Sequence, residues 1–261
     1  MRVWAVANQK GGVGKTTTAV SMGGLLASRG YRVLLVDLDS QGSMTTYFGY
    51  DPDIMAHSTY DLFQHKGKVP ADLPTSLVKT TGCENLSLIP ASTALAALER
   101  QLVGQDGMGL VISKSLAILW EDYDYVLIDS PPILGVLMIN ALAACEQLLI
   151  PVQTEFLAIK GLERMMRTLM MVMKSRSQPL SYTVIPTMFD RRTQASVSSL
   201  RTLKNSYGEH IWASAIPVDT RFRDASKAGK PPHLLDPNSR GVSAYESLLK
   251  IVLEKGRGVA A

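Results

Sequence analysis

Seven apolar runs rich in valine, isoleucine and leucine recur along the chain, separated by segments of helical length. They are RVWAVAN (2–8), RVLLVDL (32–38), LSLIP (86–90), YVLIDSP (125–131), QLLIPV (147–152), SYTVIPTM (181–188) and HIWASAIP (210–217). Successive side chains of a strand point to opposite faces, so a continuous apolar run needs cover on both sides. That is the condition of a strand inside a parallel sheet flanked by helices. The alternation predicts βαβ units and a doubly wound, mainly parallel α/β sheet.

No repeat, low-complexity tract or linker divides the 261 residues, so residues 1–261 are expected to form a single domain. Hydrophobic residues at 46% against 19% charged allow a large core and argue against disorder. Segment 50–85 is the most polar and reads as a surface excursion; AYESLLKIVLEK (244–255) reads as a helix. The stretch ILGVLMINALAACEQLLIPV (133–152) is long enough to span a bilayer. Asn140, Glu146, Gln147 and Pro151 interrupt it, and a buried helix followed by a buried strand is expected instead. The N-terminus lacks the basic–apolar–small pattern of a secretory leader. Cys83 and Cys145 form no CxxC pair, so buried free thiols in a reducing cytosol are expected.

Net charge is +4, and its distribution is uneven. Residues 190–261 hold 12 Lys/Arg against 7 Asp/Glu, whereas the rest of the chain holds 15 against 16. A surplus confined to the last quarter suggests a patch that faces a polyanion.

The first apolar run leads into KGGVGKTT (10–17) and then into a helical pattern. A strand, a glycine loop and a helix N-terminus together make a phosphate site, because backbone N–H groups and the helix dipole both favour an anion. The expected nucleotide contacts are Gly11, Gly12, Val13, Gly14, Lys15, Thr16 and Thr17. Lys15 is placed to reach the β- and γ-phosphates and Thr16 to hold Mg²⁺. The strict GxxxxGK[ST] spacing fails, since Gln9 stands where its first glycine belongs, and a second lysine, Lys10, has been added.

NQKGGVGKTT resembles the deviant P-loop of the ParA/MinD ATPases, and Asn8-Gln9 resembles its ParA side. The resemblance implies that Lys10 crosses a dimer interface to the partner's ATP, acting as an arginine finger does on transferring phosphate. The catalytic set it implies is Lys10, Lys15 and Asp39.

LLVDLDSQG (34–42) ends a strand with two aspartates that share a face at the ligand crevice. By resemblance Asp39 orients the attacking water, and Asp37 supports the Mg²⁺ shell or Lys15. The family reads DxDPQG, and this chain has Ser40 in place of the proline. YVLIDSPP (125–132) resembles a Walker B strand followed by a switch loop, with Asp129 reaching Mg²⁺ through water. The expected metal set is therefore Thr16, Asp37 and Asp129. PVQTEF (151–156) also fits the family, with interface, ribose contact and plain packing all open.

VIPTMFDRRTQAS (184–196) and SAIPVDTRFRDASKAGKPPHLLDPNSRG (214–241) resemble the C-terminal third of Soj-type ParA proteins. The resemblance implies that Thr187, Met188 and Pro217 surround adenine, and that Arg192 and Arg221, with Arg223, contact DNA without sequence preference. The family often has a basic residue after the proline of its IP pair; Val218-Asp219 here implies weaker DNA binding.

The implied protein is a cytoplasmic, nucleoid-associated Mg-ATPase that dimerises around ATP and is triggered by a ParB-like or analogous partner. Its cargo would be a plasmid, a chromosome or a polar protein cluster. A MinD-like membrane ATPase is the alternative. It requires a basic amphipathic C-terminal helix, and LLKIVLEKGRGVAA reads better as a packed helix with a short tail. The cysteines do not fit a shared iron–sulfur cluster, and no substrate pocket for a small-molecule ligase is evident in the sequence.

Overall fold

A computed structural model describes residues 1–102, 105, 107–174 and 179–257. The end of the expected C-terminal tail, residues 258–261, lies outside the described residues. Among the described residues seven strands form one sheet: β1 (Arg2–Val6), β2 (Val33–Asp37), β3 (Lys79–Cys83), β4 (Leu86–Ile89), β5 (Tyr125–Asp129), β6 (Gln147–Gln153) and β7 (Ser181–Thr187). Their order is β3-β4-β2-β5-β1-β6-β7, parallel throughout except for the antiparallel edge pair β3–β4. The doubly wound reading holds.

Strand faces alternate as the pleat requires. Val3 and Ala5 of β1, with Ala7 just beyond it, join the core on one side, while Trp4 and Val6 join the core on the other. Helices Val111–Ile118, Val136–Ala144, Phe156–Lys174 and Gln194–Tyr207 cover the first face. Helices Lys15–Ala27 and Arg240–Arg257 cover the second. The C-terminal helix buries Val242, Tyr245, Leu248, Leu249 and Val252, a stripe of helical spacing that is consumed by the core. Residues 133–152 fold as the helix Val136–Ala144 followed by β6. Among the described residues no helix is long and apolar enough to cross a membrane.

Three sequence expectations are corrected. Residues 210–217 form no strand; they run beside β7 through the isolated bridges Val184–Ile211 and Phe189–Pro217, with Trp212 N donating to the Val184 carbonyl at 2.9 Å and Ile216 N to the Pro186 carbonyl at 2.8 Å. The seventh strand is instead β3, KTTGC, a polar edge strand whose pairing with β4 shifts register between Thr80 and Cys83. Segment 50–85 is not only surface, since Leu62, Phe63 and Leu77 are buried in the core. Both cysteines are free, but only Cys145 is buried; Cys83 is half-buried.

The chain leaves β1 towards β2 on one side and leaves β5 towards β6 on the other. Connections that diverge from adjacent strands open a crevice at the strand ends. The loops after β1, β2, β5 and β7 meet there.

Candidate active site

The glycine loop bends through two left-handed residues, Gly12 (φ 74°) and Gly14 (φ 92°), before the helix Lys15–Ala27 begins. Only glycine adopts such angles without steric cost. The loop is tied down on both flanks. Asn8 donates to the Pro151 carbonyl at 2.8 Å and accepts from the Lys10 N–H at 3.0 Å. Thr187, at the end of β7, donates to the Val13 carbonyl at 2.9 Å. The first helical turn carries no acidic side chain and no side-chain cap. Its free N–H groups therefore remain for an anion.

Lys15 is buried, and its Nζ donates to the Lys10 carbonyl at 3.4 Å. Burial lowers its pKa, and the negative charges of Asp129 and Asp39 oppose that shift. A desolvated ammonium aimed at a phosphate-sized cradle is strongly biased towards an anionic ligand.

Thr16 donates to Asp129 Oδ2 at 2.6 Å. Asp129 Oδ1 is buried with no hydrogen-bond partner in the described chain. An orphaned carboxylate oxygen beside a hydroxyl fits a divalent cation or a water bound to one. Asp37 differs. Its Oδ1 accepts from Asp39 N at 3.1 Å, and its Oδ2 accepts from both the N–H and the hydroxyl of Thr45, at 2.9 and 2.7 Å. Of the expected metal set, the structure brings Thr16 and Asp129 into contact, while Asp37 braces the loop that bears Asp39. Thr45 also accepts from Ala91 N at 2.8 Å, so this brace reaches the loop after β4. Burial raises the pKa of both Asp37 and Asp129; mutual repulsion adds to it at Asp129.

A cleft of about 810 Å³ joins these elements. Gly11, Gly12, Gly14, Lys15, Thr16, Thr17 and Asp39 line its phosphate end, and Thr187, Met188 and Pro217 line the other. Met188 takes a left-handed φ of 51°, uncommon for a non-glycine residue and concentrated at ligand sites. The cleft volume suits a nucleotide. A smaller cleft of about 290 Å³ lies near Cys83 and His233 and contains none of the expected site residues.

Lys10 forms an ion pair with Glu155 of the same chain, in the loop after β6. The PVQTEF stretch thus supplies a partner for the added lysine. Arg192 pairs with Asp190 at 2.7 Å, and Arg221 with Asp236 at 3.1 Å and Asp224 at 3.5 Å. Arg223 lines the cleft wall. Three side chains at or near the site were not among the expected nucleotide contacts. Glu99 lies against Gly135 in the loop after β5, where an added Cβ would fall 2.0 Å from its Oε1. Tyr245, from the C-terminal helix, shares a 2.9 Å hydrogen bond with Thr18. Asp219 lines the cleft and binds two backbone N–H groups.

The sequence profile described as an AAA domain matches residues 1–182. The chain is 38% identical over 256 residues to the sporulation initiation inhibitor protein Soj of Bacillus subtilis, covering 98% of this chain and 99% of that one. It is 36% identical over 260 residues to the chromosome partitioning protein ParA of Caulobacter vibrioides, covering 98% and 96%. Among solved structures it is similar to cobyrinic acid a,c-diamide synthase from Mycobacterium smegmatis with bound ATP analog and magnesium, with a TM-score of 0.83, 35% identity and coverage of 98% and 96%. With a P-loop, a threonine–aspartate contact and a nucleotide-sized cleft in one crevice, and relatives matching almost end to end, this chain belongs to the ParA/Soj family of P-loop ATPases.

Proposed function

We propose that the chain is a Mg-ATPase switch whose site is completed by a second copy, that the ATP-bound dimer binds DNA without sequence preference, and that a ParB-like or analogous partner triggers hydrolysis to move or position cargo. One observation carries the reading. Two lysines sit at one P-loop, and only Lys15 is buried at the phosphate end, while Lys10 stands at the rim in a half-exposed ion pair. A half-exposed pair of this kind is weak, so Lys10 can exchange Glu155 for the phosphate of another copy's nucleotide.

Lys15 neutralises phosphate charge, and the backbone of Gly11 to Thr16 wraps the oxygens. Bound Mg²⁺ would supply charge neutralisation between the β- and γ-phosphates, held by Thr16 and, through water, by Asp129. Asp39 lines the cleft next to this end and orients a water for in-line attack. Thr187, Met188 and Pro217 hold the base. Arg192, Arg221 and Arg223 supply phosphate contacts to DNA. The buried apolar stripe of the C-terminal helix argues against its use as a membrane anchor.

Gly11→Val tests the dimer directly. A Cβ on Gly11 meets nothing within 4 Å in its own chain, and its φ is not positive. The variant is expected to bind ATP normally and to remain monomeric by light scattering with Mg-ATP, where the wild type pairs. Normal pairing of the variant would remove the support.

A further inference from the structure

The loop bearing Pro217 has little sheet to rest on. One flank is held by Phe189, which donates its N–H to the Ile216 carbonyl at 3.0 Å and accepts from Val218 N at 3.1 Å. On the other flank the Thr220 carbonyl accepts from the Arg223 and Asp224 N–H groups at 2.9 and 3.4 Å, and among the described residues the one side chain that ties the loop to a second helix is Asp219. Asp219 Oδ1 accepts from the Arg221 N–H at 3.0 Å, at the start of the helix Arg221–Ala228. Its Oδ2 accepts from the Gly241 N–H at 2.9 Å, in the first turn of the helix Arg240–Arg257. One carboxylate thus ties the loop to two helix starts, where N–H groups lack internal partners and negative charge is favoured.

The clamp is tightly seated. A Cβ on Gly241 would fall 2.3 Å from the Phe222 ring, so the helix start and that ring are packed together. Phe222 meets Tyr245 edge-on at 5.7 Å, and Tyr245 bonds Thr18 behind the glycine loop. Asp219, Phe222 and Tyr245 all line the cleft beside Pro217.

We propose that Asp219 is a positioning residue: it pins the base-contacting loop 216–220 to the first turns of both helices and so holds the wall against which the nucleotide base rests. It touches the ligand through that wall, not through the phosphates. This rests on the nucleotide reading of the cleft. Losing its charge should therefore weaken recognition of the nucleoside and leave the phosphate end intact.

The test compares ATP with inorganic tripolyphosphate by calorimetry in the wild type, Asp219→Asn and Asp219→Ala, with hydrogen exchange on the same proteins. Asparagine keeps one acceptor but turns an NH₂ towards a backbone donor; alanine removes both acceptors. ATP affinity is expected to fall at least about tenfold in Asp219→Ala, which loses both bonds to the carboxylate, and less in Asp219→Asn. Tripolyphosphate affinity should not change. ATP should slow exchange at Gly241 in the wild type and fail to do so in Asp219→Ala, while the Gly14–Thr18 amides are protected in both. Should Asp219→Ala fold poorly, Asp219→Asn carries the comparison. Unchanged ATP affinity, or equal losses for ATP and tripolyphosphate, overturns the proposal. A wild type that binds neither ligand instead overturns the nucleotide reading itself.

Discussion

The Thr16 hydroxyl donates a 2.6 Å hydrogen bond to Asp129 Oδ2 across 113 residues of chain, and the other oxygen of that carboxylate is buried without a partner. Two parallel neighbours in the sheet, β1 and β5, bring the pair together. The arrangement holds half a cation site ready and leaves a costly group unsatisfied.

That cost has a pH signature. Burial raises Asp129 to about 8 and Asp37 to about 6, from an ordinary value of 3.8. The folded chain then binds more protons than the unfolded one above pH 3.8, so its stability falls as pH rises through this range to about 8. Thermal melts without nucleotide or Mg²⁺ should show Tm falling from pH 6 to 8, and Asp129→Asn should flatten that slope. A wild-type Tm that climbs across the interval would contradict the assignment.

Asp39 is the residue expected to orient water, and its own fold is local: its Oδ1 accepts from Gln41 N at 3.0 Å. Asp39→Ala is expected to retain ATP binding while turnover drops about 10²–10⁴-fold, the usual worth of a positioned proton-transfer group. Calorimetry with ATP and a phosphate-release assay check the two halves. Turnover near the wild-type rate sinks the role.

The two lysines should separate cleanly. Lys15→Ala loses a buried charge contact worth roughly 3 kcal/mol or more, so ATP affinity should fall at least about a hundredfold. Lys10→Ala breaks a half-exposed ion pair worth under about 1 kcal/mol, so Tm and ATP affinity should barely move. Its dimerisation with Mg-ATP should be lost. Similar affinity losses in both variants, read by calorimetry, would mean that Lys10 serves its own nucleotide.

Arg192 and Arg221 each sit beside aspartates of their own chain. Such exposed pairs are weak and exchange readily for phosphate. Arg192→Glu with Arg221→Glu should abolish DNA retention at low salt and leave the ATP-dependent dimer intact. Asp190→Asn, which frees Arg192, should raise DNA affinity. An unaltered gel shift in the double variant would place the DNA surface elsewhere.

Gly135 is needed for space. Its φ of −127° suits any residue, but a Cβ would meet the Glu99 carboxylate. Gly135→Ala must push the flexible end of Glu99 aside and should cost up to about 1 kcal/mol. Glu99→Ala in the same chain should recover most of that loss in a denaturant melt. Additive losses would show that the two residues do not share the space.

Much of this was legible in the sequence because it is written in short stretches. Apolar runs a few residues long specify buried parallel strands, and GKT at a strand–helix junction specifies a phosphate cradle, since both depend on neighbours in the chain. KTTGC escaped notice because an edge strand buries little and has no apolar pattern to show. HIWASAIP misled for the opposite reason: its Ile211, Trp212 and Ile216 are buried, yet it pairs through isolated bridges and forms no ladder.

The sequence alone therefore determined the class of sheet, the position of the glycine loop and the candidate carboxylates. Only the tertiary structure decided how those groups are committed: Asp129 to Thr16, Asp37 to Thr45, Lys10 to Glu155, and Asp219 to the helix that begins 21 residues later. The physical reason is range. Pattern and propensity act over a turn or a strand, whereas a side chain's partner depends on which strands lie side by side and where their ends meet.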